Sequence, residues 1–61
     1  PMDAYACANA ALRGHLDVLK YLRERDCPWD SHTCFSAHGF NRIECLNYAI
    51  EKKCPGWERY V

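Results

Sequence analysis

The stretch Cys27-Pro28-Trp29 returns as Cys54-Pro55-Gly56-Trp57, and this recurrence sets the organisation of the whole chain. At the offset of 27 residues, 34 positions can be compared and nine are identical, against roughly two expected by chance from the composition. The sequence therefore predicts two repeated units, residues 1–27 and 28–54, and a partial third unit, residues 55–61. We expect these 61 residues to belong to a longer array.

Each unit is predicted to contain two helices. In the first unit Asp3 is a suitable N-cap, and residues 4–13 contain no Gly, Pro or β-branched residue. Gly14 ends this helix because glycine readily adopts the left-handed conformation found after helix C-termini. A second helix is expected at about residues 16–25, ending before Pro28, since proline disfavours helical geometry at the preceding residue.

The second unit predicts the same pair of helices. Asp30 or Ser31 can cap the first of them, which should reach about Gly39. Asn41 replaces the turn glycine, and asparagine tolerates the left-handed region better than most residues. The last helix is expected at about residues 42–53. No segment alternates polar and apolar residues as a half-buried strand does, so the predicted fold class is all-α, without a β-sheet.

A stripe of small residues recurs on the first helix of each unit. Spacings of four and three place its members on one helix face. Cysteine acts there as a small apolar side chain, so we expect the stripes to let two stacked helices approach closely. Cys45 replaces Val18 on the second helix, which we interpret as a packing substitution. The stripe residues are Asp3, Cys7 and Ala10 in the first unit and Asp30, Cys34 and Ala37 in the second.

Residues 10–22, AALRGHLDVLKYL, resemble the A-A-x-x-G-H-x-x-V-x-x-L-L signature of ankyrin repeats. The 27-residue unit is shorter than the usual ankyrin unit of about 33 residues, and it resembles short ankyrin-like repeats of protists and large DNA viruses. The resemblance implies a helical solenoid that binds another protein, without catalysis or a cofactor. It also implies that His15 joins loop backbones through its ring nitrogens. The second unit departs from the signature at Asn41 and Arg42.

In ankyrin arrays the first helices line a concave face, so the resemblance implies a candidate contact surface on them. Its positions differ between the two units, although the neighbouring stripe is identical. The alternative is an ordinary solvated face. Trp29 has two interpretations as well: an aromatic anchor for the partner, or a cover for the seam between units. The candidate residues are Tyr5, Asn9, Arg13, Trp29, His32, Ser36 and Phe40.

The charge balance argues against nucleic acid as a partner, since eight basic residues match eight acidic ones. No apolar run could span a membrane, and no signal peptide can be read at residues 1–13. We therefore expect an intracellular, cytoplasmic location, a protein partner and no small-molecule substrate. An enzyme is not expected, because a chain this short cannot build a water-excluding cleft.

The five cysteines leave other functions open. A small zinc module is one alternative, although no C-x-x-C pair occurs and the closest arrangement, around Cys27, Cys34 and His32, lacks the usual paired spacing. A disulfide between Cys7 and Cys34 is another. A further alternative to the interaction module is a structural subunit or fragment held within a larger assembly, because two units fall below the roughly three that a solenoid usually needs.

Overall fold

The computed structural model describes residues 3–61, so the first two residues of the expected first unit lie outside it. The described chain is all-α, as predicted, and contains no strand. Both second helices end one or two residues earlier than expected. The elements are α1 (Ala4–Leu12), α2 (Leu16–Glu24), α3 (Ser31–Gly39), α4 (Ile43–Glu51) and a short 3-10 helix (Trp57–Tyr60).

Two aspartates begin the first helix of each pair. The Ala6 amide donates to Asp3 Oδ1 at 3.1 Å, and the His32 amide donates to Asp30 Oδ1 at 2.9 Å. Both aspartates have extended backbones, as N-cap residues do. Of the two candidates for the second unit, Asp30 is therefore the cap and Ser31 is the first helical residue.

A left-handed residue follows every α-helix. Gly14 and Asn41 have φ values of 73° and 58°, as their sequence positions predict. Asp26 and Lys53 also adopt positive φ, at 61° and 56°, and this shortens the two second helices. After each of the four residues, the next amide donates to the carbonyl five positions back, as Arg42 does to Ala37 at 2.7 Å. This bond closes the helix end in the Schellman manner.

The core lies where α1 packs against α3, with α2 and α4 packed behind them. Its side chains are small, and Leu19 is the largest that is fully buried. All five cysteines are buried within it. The core residues are Cys7, Ala10, Ala11, Leu19, Cys27, Cys34, Ala37, Cys45, Leu46, Ala49 and Cys54.

The link after each helix pair makes the same contact. Cys27 Sγ donates to the Asp3 carbonyl at 3.3 Å, and Cys54 Sγ donates to the Asp30 carbonyl at 3.3 Å. Each thiol therefore ties the end of one pair to the cap that begins that pair. None of the helices within residues 3–61 combines the length and apolar character needed to cross a membrane.

Gly14→Ala tests the turn between α1 and α2. An alanine Cβ would meet Arg42 Cδ at 3.0 Å, and the positive φ strains any L-residue, so we expect the free energy of unfolding to fall by about 1–2 kcal/mol. Gly39→Ala is the matched control, because a Cβ there has no atom within 4 Å and alanine favours helix. Urea unfolding measures both. Equal effects of the two substitutions would contradict this account of the turn.

Candidate functional site

A groove runs between α1 and α3. It consists of two depressions of about 280 and 80 Å³ that share the walls formed by Tyr5, Ala8 and His32. The α1 wall is apolar except for a phenol and an amide, and the α3 wall carries an imidazole and a hydroxyl. The remaining lining residues are Ala4 and Asp30 in the larger depression and Asn9, Leu12 and Ser36 in the smaller one.

The groove brings together four of the seven candidate contact residues. Tyr5, Asn9 and His32 are exposed along its walls, with 70% of Tyr5 accessible. Ser36 lies at the floor and is only 4% exposed, so its prediction as a freely displayed contact residue is wrong. Its position on α3 is covered by the packing against α1, whereas the equivalent Asn9 on α1 is open.

Arg13 and Phe40 are exposed but do not line this groove. They are the C-cap residues of α1 and α3, so they lie at the far end of the helices from the two aspartate caps. Phe40 keeps more than half of its surface accessible. These two side chains extend the first-helix surface toward the turns without adding to the groove walls.

Trp29 is not part of the groove. The Arg23 guanidinium lies 4.3 Å from its ring centroid, and the Tyr48 ring meets it edge-on at 6.1 Å. Half-buried, Trp29 packs against the core on the side of the second helices. Its inclusion in the candidate contact surface is therefore corrected: Trp29 covers the seam between the helix pairs, the second of the two interpretations.

His15 does not join loop backbones in this structure. Its side chain is exposed, and its ring nitrogens make no hydrogen bond to the described residues. Arg42, 27 positions later, does what the resemblance implied for His15: its Nε donates to the Leu12 carbonyl at 3.0 Å. The second pair is thereby tied to the turn of the first. The acceptor equivalent to Leu12 for His15 would lie upstream of the 61 residues.

The cysteines form pairs that the sequence interpretation missed. Cys7 Sγ lies 3.5 Å from Cys27 Sγ, and the side chains of Cys34 and Cys54 are hydrogen-bonded to each other. All five thiols are free, so Cys7 is not linked to Cys34. Both pairs connect a first helix to the link that closes the same helix pair. The 27-residue period contained this signal, because it relates the two pairs to each other.

Burial keeps these thiols protonated. It raises the pKa of Cys7 to about 12, helped by the neighbouring Cys27 thiol. Burial also raises the pKa of Cys34, Cys45 and Cys54. Since the thiolate is the nucleophile and the metal ligand, these thiols are unreactive while the fold is intact. No three His, Cys, Asp or Glu side chains within residues 3–61 lie close enough to hold a metal ion, so the zinc alternative has no candidate ligand set there.

The chain matches no protein-family model, no curated protein and no solved structure. The resemblance to ankyrin repeats consequently depends on residues 10–22 and on the 27-residue period alone.

The pKa of Cys7 predicts how stability depends on pH. The unfolded chain loses this proton near pH 9.0, whereas the folded chain holds it to about 12. The unfolded state therefore binds fewer protons in that window, and the free energy of unfolding should fall as pH rises from 9 to 12. Urea unfolding in the presence of a phosphine reductant measures the slope. Cys7→Ala should flatten it and the surface variant Val18→Ala should not; an unchanged slope in Cys7→Ala would refute the linkage.

Proposed function

We propose that this chain is a protein-interaction module, a non-catalytic ankyrin-like helical repeat scaffold that binds its partner along the groove between α1 and α3. One observation carries the proposal: Tyr5 and His32 occupy equivalent positions 27 residues apart, and both are exposed on the walls of the same groove. An aromatic and an imidazole side by side offer apolar contact area together with hydrogen-bonding groups. Such side chains are common in the energetic centres of protein interfaces.

The size of the groove favours a protein partner over a small molecule. Its larger depression measures about 280 Å³ and its smaller one about 80 Å³. Small-molecule sites usually enclose about 300–1,000 Å³ and cover most of their ligand. A shallow groove of this size instead suits one or two side chains of a partner whose remaining contacts spread over the exposed helix face.

Rigid display is the proposed mechanism. Tyr5 lies two residues after the Asp3 cap and His32 lies two residues after the Asp30 cap, so both sit in the first turn of a capped helix. A side chain on a fixed helix loses little backbone entropy when a partner docks. Affinity then depends on the complementarity of the displayed side chains.

A second candidate function, a structural piece within a larger helical assembly, is favoured by a different pair of positions. Val18 is 42% exposed on α2, whereas its equivalent Cys45 on α4 is 1% exposed. Tyr21 is likewise more exposed than its equivalent Tyr48. The surface that α4 buries against the first pair is therefore left uncovered on α2, and another helix pair of the same kind would cover it.

Paired substitutions test the interaction module. A peptide ligand is first selected from a displayed library on the wild-type chain, and its affinity is then measured by fluorescence anisotropy. Tyr5→Ala with His32→Ala should weaken binding at least about tenfold, because the groove loses both recognition side chains. The melting temperature should hold, since both side chains are exposed.

Tyr21→Ala with His15→Ala is the matched control, because it removes the same two residue types from exposed positions outside the groove. The control should bind the peptide as the wild type does. Equal loss of affinity in both double variants, or a parallel fall in melting temperature, would contradict binding at the groove.

An extended chain tests the structural alternative. Residues 28–54 are placed directly before residue 1, so that a Cys-Pro junction forms as it does at Cys27-Pro28. If the Val18 surface exists to be covered, the isolated 61 residues should lack a cooperative melt, and the extended chain should gain one. Circular dichroism at rising temperature measures both. A cooperative melt of the 61 residues alone, little changed by the extension, would favour the independent module.

A further inference from the structure

Four of the five cysteines form two equivalent thiol pairs. The Sγ atoms of Cys7 and Cys27 lie 3.5 Å apart, and the side chains of Cys34 and Cys54 are bonded to each other. Both members of each pair are buried. The charged groups that act on the fifth thiol, Cys45, are Glu44 and Arg42 rather than another cysteine.

We propose that these are two redox sites, at which a low-molecular-weight disulfide oxidises Cys7 with Cys27, and Cys34 with Cys54, to intramolecular disulfides while Cys45 stays a thiol. The proposal does not depend on the function of the groove. The sulfur atoms of the first pair need to approach by only about 1.5 Å to reach bonding distance. The same covalent link would thus form twice, 27 residues apart.

The chemistry is two successive thiol–disulfide exchanges at each pair. One cysteine loses its proton to solvent and attacks the small disulfide, whose S–S bond breaks and releases one small thiol. The second cysteine of the pair then loses its proton and attacks the protein sulfur of the mixed disulfide, releasing the second small thiol. The protein is oxidised by two electrons at each pair, and one small disulfide is reduced to two thiols.

Burial controls when this reaction can start. The first step needs a thiolate that the oxidant can reach, and Cys7 and Cys27 are both covered by the packed helices. The pair therefore reacts when the link opens or before the chain has folded. Once formed, the disulfide joins α1 to the end of the same helix pair and closes a loop of 20 residues. Such a link restricts the unfolded chain and stabilises the fold.

Oxidation of the wild-type chain during refolding tests the proposal. The chain is refolded from denaturant with oxidised glutathione, its remaining thiols are alkylated, and its disulfides are mapped by peptide mass spectrometry. We expect a mass about 4 Da below the reduced form before alkylation, the pairs Cys7–Cys27 and Cys34–Cys54, and the alkyl group on Cys45. The melting temperature should rise by roughly 10 °C or more over the reduced chain.

Matched variants separate the pairs from the general reactivity of cysteine. Cys45→Ser should still form both disulfides, whereas Cys27→Ser should form only Cys34–Cys54 and leave Cys7 as a thiol or a mixed disulfide. The folded reduced wild type should react with oxidised glutathione much more slowly than the chain in denaturant. A disulfide to Cys45 or between Cys7 and Cys34 as the main product, or an oxidised chain that melts below the reduced one, would overturn the proposal. The wild-type map decides the pairing even if a serine variant fails to fold.

Discussion

The close approach of α1 and α3 is the contact on which the rest of this fold depends. It is made by side chains no larger than cysteine, among them Cys7 and Ala11 on α1 and Cys34 and Ala37 on α3, all of them fully buried. Small side chains bring the two helix backbones together but each removes little apolar surface from water. The core is consequently thin, and hydrophobic burial alone gives it a modest share of the stability.

Local interactions at the helix ends supply much of the remainder. Each helix has nine residues, too few to be stable alone in water. The aspartate caps, the left-handed turn residues and the Arg42 bond to the Leu12 carbonyl satisfy backbone groups that short helices leave open. The thiols of Cys27 and Cys54 do the same for the two cap carbonyls. The cysteines thus act both as packing residues and as hydrogen-bond donors.

The features that could be predicted from sequence are those fixed by neighbouring residues. The Asp3 cap and the left-handed Gly14 and Asn41 depend on backbone preferences within one turn of chain, and the structure has them where expected. The errors at Ser36 and Trp29 have another cause. Whether a helix position is open or covered depends on which neighbour packs beside it, and residue type does not encode that.

The 27-residue period supplies an internal control for the surface. Ala8 is 3% exposed and its equivalent Phe35 is 61% exposed, so this position is covered only where a further pair follows. Val18 and Cys45 show the reverse, since that position is covered only where a pair precedes it. Exposure that differs between equivalent positions therefore reports stacking. Tyr5 and His32 are exposed in both copies. Their face would stay open however many pairs were stacked, which is the property that a binding surface on such a scaffold requires.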